Sequence, residues 1–283
     1  MSERTYSIRT MNRAEIDTAV EWAANEGWNP GLNDADCYFI ADAEAFLVGY
    51  LDDEPIAVIS VVKYDESFGF LGFYIVKPEY RGQGYGIQIW DAGIKRLSGL
   101  NIGLDGVVDQ QENYKKSGFK LAYRNIRYEG TGGGSVPDNP NIVELSSIPF
   151  DTLNAYDQPF FPANRTEFTK AWISQPDSHA LGIMAEDKLA GYGVIRQCRN
   201  GYKIGPLFAD SPELAEQIFL ALKSKVTASN AIFLDTPEVN PSAVALAEKY
   251  QMTKSFETAR MYTGAFPDLP LEWTFGVASF EIG

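Results

Sequence analysis

The stretch that decides the fold is Phe73-Tyr-Ile-Val-Lys-Pro-Glu-Tyr-Arg-Gly-Gln-Gly-Tyr-Gly-Ile87. It begins inside the apolar run Phe68–Val76, which is typical of a strand. A glycine-rich turn follows, and an amphipathic helix is predicted from there to about Leu97. The buried stripe of that helix is expected to be Ile87, Trp90, Ile94 and Leu97. The free N–H groups of such a turn and of the helix start form an anion site suited to a pyrophosphate.

The same order of elements is predicted on both sides of a glycine- and proline-rich segment. Residues 130–140 contain four glycines and two prolines, a composition that excludes the interior of a helix or strand. In each half the pattern predicts three strands, a helix, a strand, a second helix and a final strand. We therefore interpret the chain as a diverged duplication, with domains at 1–130 and 141–283 and a linker at 131–140.

Composition and charge exclude several classes of protein. The 283 residues are 45% hydrophobic, with two cysteines and one histidine. This indicates a globular core without a disulfide framework or a Cys/His zinc site, and no metal is expected. Residues 1–130 hold 13 basic and 20 acidic residues and the remainder 11 and 18, for a net charge of −14. Such a balance disfavours nucleic acids and anionic membranes as partners. The N-terminus has no signal-peptide pattern and the apolar runs are short, so a cytoplasmic protein is expected.

A dinucleotide-binding turn is the first alternative for the glycine-rich segment, because Asp105 lies near the distance expected for a ribose contact. That fingerprint needs a third glycine three residues after the second, and Ile87 stands there after Gly82 and Gly84. Lys77–Arg81 also makes the connection from the strand too long for a tight first turn. The pattern therefore disfavours a nicotinamide oxidoreductase.

Two motifs resemble those of the GNAT N-acyltransferase superfamily. Arg81-x-x-Gly84-x-Gly86, preceded by Ile75-Val76-x-Pro78, is similar to the family's acyl-CoA motif. Tyr114-Lys-Lys-Ser-Gly118-Phe119 resembles the Tyr-x-x-x-Gly-Phe pattern that closes the family's next helix. The two motifs stand in the family's order, on either side of the predicted strand 102–108. The resemblance covers roughly residues 5–130 and implies a GNAT domain there: a mixed α/β (α+β) fold in which helices flank a twisted mixed sheet.

The resemblance implies acetyl-CoA as co-substrate and assigns residues to it. The backbone of Ile75 and Val76 would bind the pantetheine arm and polarise the thioester carbonyl. The pyrophosphate would be held by the turn, at Arg81, Gly82, Gln83, Gly84, Tyr85 and Gly86. Tyr114 would lie beside the thioester sulfur and protonate the departing thiolate, which a phenol can do. Val107 stands where the family often has asparagine, which weakens the expectation of CoA contacts from that turn.

The general base is less defined than the CoA site. Many relatives carry a carboxylate on the strand before the phosphate turn, but the strand Phe68–Val76 has none. The candidates are Asp105 on the next strand, Asp34 and Asp36 in the early loop, and a chain of water molecules leading to the backbone.

The resemblance places acceptor specificity in the early loop Glu26–Asp36. Trp28, Asn29, Asp34 and Asp36 are its candidate substrate residues. Residues 26–54 contain eight acids and no Lys or Arg, a charge that would attract a cationic amine and is equally consistent with a solvated acidic face. The resemblance implies a primary amine as the acceptor, on a small molecule or a peptide.

The second half resembles a GNAT fold that has lost its acyl-CoA chemistry. The stretch Gly205–Ala215 has no Arg-x-x-Gly-x-Gly, and it carries Asp210 and Glu213 where phosphates would need donors. Ala247 stands at the position of the tyrosine. We expect a tandem GNAT protein with one active domain, which transfers an acetyl group to an amine. The alternative is a non-catalytic acyl-CoA sensor or scaffold. The sequence allows a homodimer without fixing the oligomeric state.

Overall fold

Residues 4–283, which the computed structural model describes, fold into helices packed on a long sheet. The helices are α1 (Arg13–Asn25), α2 (Asp34–Ala41), α3 (Tyr85–Arg96), α4 (Gln111–Lys116), α5 (Phe150–Asp157), α6 (Thr166–Trp172), α7 (Pro212–Lys223) and α8 (Pro241–Lys249). The strands are β1 (Tyr6–Thr10), β2 (Phe46–Leu51), β3 (Glu54–Lys63), β4 (Phe68–Val76), β5 (Asn101–Val107), β6 (Lys120–Thr131), β7 (Ile142–Glu144), β8 (Ser178–Ala185), β9 (Lys188–Gln197), β10 (Tyr202–Ala209), β11 (Ala231–Pro237), β12 (Thr253–Tyr262) and β13 (Thr274–Gly276). Every helix in this range is too short or too polar to span a bilayer.

The order of elements repeats as the sequence pattern predicts. The first half runs β2-β3-β4-α3-β5-α4-β6 and the second runs β8-β9-β10-α7-β11-α8-β12. The prediction of two tandem folds of mixed α/β type is confirmed.

The sheet itself is continuous through both halves and exchanges strands between them. Its order is β1-β2-β3-β4-β5-β12-β6-β11-β10-β9-β8-β7. β12, from the second half, lies between β5 and β6 of the first half, and β6 pairs with β11. β6 runs through Thr131, the first residue of the expected linker, and residues 132–141 connect it to β7. Each half of the chain completes the sheet of the other.

The first half opens between its two parallel strands. β4 pairs with β5 only along Phe68–Leu71 and Asn101–Leu104. Beyond that point β4 has a bulge opposite β3, where Phe73 adopts a left-handed φ of +47°, and bulges of this kind bend a strand. We call the resulting opening between β4 and β5 the first cleft.

The second half has the same parallel pair, and the opening there is filled. β10 pairs with β11 along Tyr202–Ile204 and Ile232–Leu234. Beyond that point β13 pairs with β10 at Leu207 and Phe208. On the other side, the Val277 N–H donates to the carbonyl oxygen of Asp235 at 2.8 Å. We call this filled opening the second cleft, and residues 274–283 the C-terminal segment.

The buried face of α3 differs from the prediction at Ile87, and Ile94 is only partly buried. Trp90 and Leu97 are buried as expected, but Ile87 is 56% exposed and Ile89 is fully buried. Ile87 lies in the first turn of α3, at the rim of the first cleft, where no neighbouring element covers it. Further along, Gly93 lets the helix approach β3 closely, since a Cβ there would lie 2.8 Å from Val61.

Three buried ion pairs join the two halves. Arg127 on β6 and Asp235 on β11 approach to 2.6 Å, Arg196 on β9 and Asp34 on α2 to 2.8 Å, and Arg260 on β12 and Asp105 on β5 to 2.5 Å. Breaking one such pair typically costs ~3–5 kcal/mol, because a charge is left buried without a partner. The halves are therefore expected to fold and unfold as one unit.

Candidate functional site

A cavity of about 560 Å³ lies in the first cleft. Its walls come from the glycine-rich turn, from the diverging ends of β4 and β5, from β12 and from the C-terminal segment. Its lining includes Trp28, Ile75, Arg81, Tyr114, Phe280 and Glu281. Both halves of the chain therefore build one cavity.

The glycine-rich turn leaves the start of α3 open to a ligand. Gly84 is the N-cap at φ +87°, without a side-chain cap on the helix, and Gly82 has φ +75°, a conformation that glycine adopts without strain. At Gly86 a Cβ would lie 2.6 Å from the Tyr74 hydroxyl oxygen. Helix N–H groups that no side chain caps are suited to an anion such as pyrophosphate.

Arg81 lies beside this turn but is bonded to the protein. Its Nε donates to the Val76 carbonyl oxygen at 2.8 Å, and its Nη2 contacts Glu26 Oε1 at 2.5 Å. The Arg81 side chain remains 49% exposed, so it can turn toward an anion at the cost of a half-exposed ion pair, which is small.

Gln83 and Tyr85 contribute their backbone more readily than their side chains. The Gln83 side-chain amide donates to the Glu79 carbonyl oxygen at 2.8 Å. The Tyr85 ring packs against Tyr6 at 5.0 Å between centroids. Their side chains stabilise the turn, which leaves the amide groups for a ligand.

Ile75 and Val76 line the cavity on the edge of β4 that β5 no longer covers. The pairing of β4 with β5 ends at Leu71, so the following β4 backbone faces the cavity with hydrogen-bonding groups that the sheet does not use. This arrangement suits an extended polar chain lying along β4.

Tyr114 reaches the same cavity from α4. Its ring stacks on Trp90 with 5.7 Å between centroids, and it covers Gly106, where a Cβ would lie 2.2 Å from the Tyr114 ring. Burial raises the pKa of Tyr114 above its usual range. The phenol is therefore protonated at neutral pH and has a proton to donate.

Asp105 lines the cavity, but its carboxylate is saturated by protein donors. Arg260 donates to it from Nε at 3.0 Å and from Nη2 at 2.5 Å. Asn125 Nδ2 donates at 2.8 Å and Thr258 Oγ1 at 3.3 Å. The Asp105 side chain is fully buried. This geometry supports a structural ion pair and argues against the expectation that Asp105 is the general base.

Asp34 and Asp36 are placed away from the cavity, in the first turn of α2 rather than in a loop. Asp34 is buried and accepts from Arg196, from the Gly31 N–H and from the Tyr38 hydroxyl. Asp36 is exposed and pairs with Arg13 at 2.6 Å. Neither carboxylate faces the first cleft.

Trp28 and Asn29, the other two substrate candidates of the early loop, lie in different places, and only Trp28 lines the cavity. Trp28 lines the cavity, and its carbonyl oxygen accepts from Arg127 Nη1 at 2.6 Å. Asn29 is hydrogen-bonded instead to the backbone of Asn200, as donor at 2.8 Å and as acceptor at 3.1 Å. The early loop is thus docked on the second half, which holds Trp28 in the cavity wall.

Sequence reasoning missed the contribution of β12 and the C-terminal segment. Phe256 and Thr258 on β12, with Phe280 and Glu281 beyond β13, line the cavity. No motif marks these residues, and only the strand exchange brings them to the first cleft. Across residues 4–283, no group of three or more His, Cys, Asp or Glu side chains is placed to hold a metal ion.

Two family models match the chain. The Acetyltransferase (GNAT) family matches residues 11–119 and the Acetyltransferase (GNAT) domain matches residues 153–274. The chain is also 30% identical, over 280 residues, to holothin acyltransferase from Pseudoalteromonas sp. (strain SANK 73390), an alignment that covers 99% of this chain and 95% of that protein. The chain belongs to the GNAT superfamily and has two GNAT domains. It is an acyltransferase, of a family that uses acyl-CoA donors.

Solved structures show the same fold over the whole chain. A candidate acetyltransferase from Pyrococcus horikoshii superimposes with a TM-score of 0.83 at 24% identity, covering 100% of this chain and 98% of that one. A tandem GNAT protein from the clavulanic acid biosynthesis pathway superimposes with a TM-score of 0.64 at 12% identity, covering 93% and 100%. The predicted membership and tandem organisation are confirmed.

Proposed function

We propose that the chain transfers an acetyl group from acetyl-CoA to a primary amine carried by a small molecule. The observation that carries the proposal is the convergence of an uncapped helix start, an unpaired edge of β4 and the Tyr114 phenol on one cavity. The similarity to holothin acyltransferase over nearly the whole chain supports acyl transfer as the reaction.

Each group has a separate role in this proposal. The amides at the start of α3, with Arg81, hold the pyrophosphate. The β4 backbone at Ile75 and Val76 orients the pantetheine arm and places an N–H donor where negative charge develops on the thioester oxygen. Tyr114 gives its proton to the departing sulfur. Acetyl-CoA supplies an activated acyl group, and the protein supplies position and proton transfer.

We further propose that each chain binds one CoA. The second cleft is filled by β13, and the cavity beside it is lined by the acids Asp210, Asp268 and Glu272 without a Lys or Arg. Like charge disfavours a pyrophosphate there. The second half acts instead by completing the sheet of the first half and by closing the acceptor side of the first cleft.

The test is release of CoA thiol from acetyl-CoA in the presence of a panel of primary amines, with propionyl-CoA and longer acyl-CoAs as competing donors. The proposal expects amine-dependent turnover that is fastest with acetyl-CoA. Tight acetyl-CoA binding without turnover on any amine would instead identify a sensor. Faster turnover with a longer chain would replace acetyl by that acyl group.

A further inference from the structure

Three carboxylates line the cavity of the first cleft among residues 4–283: Glu26, Asp105 and Glu281. Glu26 is paired with Arg81 at the pyrophosphate end. Asp105 is saturated by Arg260, Asn125 and Thr258, as described above. Glu281 differs from both, because no Lys or Arg nitrogen of the described chain lies within 4.0 Å of its carboxylate.

The C-terminal segment holds Glu281 in a defined place. The Glu281 carbonyl oxygen packs against Gly72 on β4, where a Cβ would lie 1.9 Å from it. The Ser60 hydroxyl donates to the same carbonyl at 3.5 Å, and the Tyr64 hydroxyl donates to the Ile282 carbonyl at 2.7 Å. Glu281 is therefore fixed beside the β4 bulge, near the residues expected to hold the thioester.

The Glu281 side chain is buried yet only half satisfied. The residue is 3% exposed, and Oε2 accepts from the Ser279 hydroxyl at 2.6 Å. Oε1 has no hydrogen-bond donor within residues 4–283. Because Glu281 lines the cavity, Oε1 is open to a donor that enters the cavity, either a ligand or water. An amine N–H is a donor of the right kind.

The charges behind Glu281 leave it free for such a donor. Arg127 is bidentate on Asp235, and Lys203 Nζ lies 4.0 Å from the same carboxylate. Burial and the neighbouring Arg127 lower the pKa of Lys203, and Glu281 opposes that lowering more than Asp235 does, without an ion pair within 4.0 Å.

Aromatic side chains form the rest of this wall. Trp28, Phe256 and Phe280 line the cavity beside Glu281. The Arg127 guanidinium lies over the Phe280 ring at 5.0 Å and over the Phe256 ring at 5.7 Å, which fixes both rings. Flat apolar walls around one carboxylate favour an amine carried on a flat, apolar group, because polar scaffolds would lose hydrogen bonds to water.

We propose that Glu281 is the acceptor-site carboxylate of the first cleft, and that its substrates are primary amines on flat, apolar scaffolds. This inference rests on the proposed function. The nitrogen of the neutral amine forms the new C–N bond as the C–S bond breaks; an amine that arrives as an ammonium ion first gives one proton to solvent. One nitrogen proton passes to Glu281 Oε1, and the leaving sulfur takes the proton of Tyr114. Both residues then exchange protons with solvent, which restores the starting state.

The test uses phenethylamine as the flat apolar probe and ethanolamine as the polar one. For the wild type we expect kcat/KM at least tenfold higher with phenethylamine. Glu281→Gln should lower kcat/KM for phenethylamine ~100-fold, the scale of a lost general base, while the acetyl-CoA Kd measured by calorimetry stays within twofold. Glu248→Gln, which removes an exposed carboxylate on α8, is the matched control and should leave both quantities unchanged.

A second variant and a binding measurement distinguish a failure of the Glu281 inference from misfolding and from a failure of the proposed function. Glu281→Asp keeps the charge and withdraws it by one methylene, so an intermediate kcat/KM is expected even if Glu281→Gln fails to fold. Phenethylamine binding to the protein–CoA complex should be lost in Glu281→Gln. That loss supports the inference even if the wild type transfers no acyl group, in which case the proposed function alone has failed. Wild-type turnover retained by folded Glu281→Gln, or no preference for phenethylamine, would overturn the inference.

Discussion

The two clefts of the molecule occupy the same place in the same fold, and only the first is open. In the first, β4 and β5 diverge beyond Leu71 and a cavity follows. In the second, β13 enters between β10 and β11 and satisfies both: it pairs with β10, and the Thr236 hydroxyl on β11 donates to the Phe275 carbonyl at 3.1 Å. If each chain binds one CoA, as proposed, the comparison teaches that a duplicated site can be lost by filling its cleft while the fold is kept.

The helix starts beside the two clefts also differ: α3 has no side-chain cap, and α7 has one. α3 begins at Gly84, which has no side chain to cap the helix. α7 begins at Ser211, whose hydroxyl accepts from the Leu214 N–H, with Pro212 next to it and Glu213 in the first turn. At the start of α7 the Ser211 hydroxyl already accepts a hydrogen bond from a free helix N–H, and the Glu213 carboxylate adds a negative charge. Both features disfavour binding of an anion there.

The largest effect is expected at the proton donor, where the second half has Ala247. Tyr114→Phe removes one hydroxyl and little volume, so turnover in a single-turnover experiment should fall ~100-fold or more while acetyl-CoA still binds. Because burial raises the pKa of Tyr114, the wild type should lose no activity through its ionisation below about pH 9.

The control for this variant is Tyr250→Phe, which removes a phenol outside the cavity, where it contacts Glu216. It should leave turnover unchanged. Unaltered single-turnover kinetics in Tyr114→Phe would show that Tyr114 is not the proton donor and only packs against Trp90.

The next effect concerns the anion site that the second half lacks. Arg81→Glu should weaken CoA binding by ~1.5–3 kcal/mol, about 10- to 150-fold in Kd, because a charge-assisted contact is replaced by repulsion. Arg199→Glu is a matched control, since the Arg199 side chain is equally exposed at 49% and contacts Glu21 only at 3.9 Å. Calorimetry that gives equal CoA affinities for the two folded variants would remove Arg81 from the site.

Site features that a short stretch of sequence encodes could be predicted. Features that depend on the exchange of strands between the two halves could not. The turn at Arg81–Gly86 and the helix residue Tyr114 carry local patterns, and the structure brings them to one cavity. The sequence offers candidates for the general base on β5 and in the early loop, with a chain of water molecules as the alternative. Asp105 looked free in the sequence because its partner Arg260 lies 155 residues away.

The side of the cavity formed by Phe256, Phe280 and Glu281 could not be predicted from the sequence for the same reason. Glu281 reaches Gly72 on β4 only because β13 first fills the second cleft. Neither step has a local signal, since β13 is three residues long and pairing partners are not encoded by periodicity. The error at Ile87 is also of this kind, because a helix pattern marks an apolar residue without showing whether a neighbour covers it.

A smaller effect is expected at the capped helix start. Ser211→Ala removes the hydroxyl that accepts from the Leu214 N–H, and loss of an N-cap typically costs ~1 kcal/mol of stability. Chemical denaturation should show that loss, with the CoA Kd unchanged. A weaker CoA affinity in this variant would mean that the second half takes part in CoA binding.

We expect no change in the number of CoA molecules bound per chain when only the charge of the second half is changed. Asp210→Arg combined with Glu213→Gln removes both acids from the start of α7 and supplies a donor, so it would create a second anion site if charge were the obstacle. Calorimetric titration should still give one CoA per chain, because β13 keeps the cleft filled: its Gly276 packs against Leu207 and Leu234. Two sites in the double variant would show that repulsion closed the second cleft. Two equivalent sites in the wild type would contradict the comparison itself.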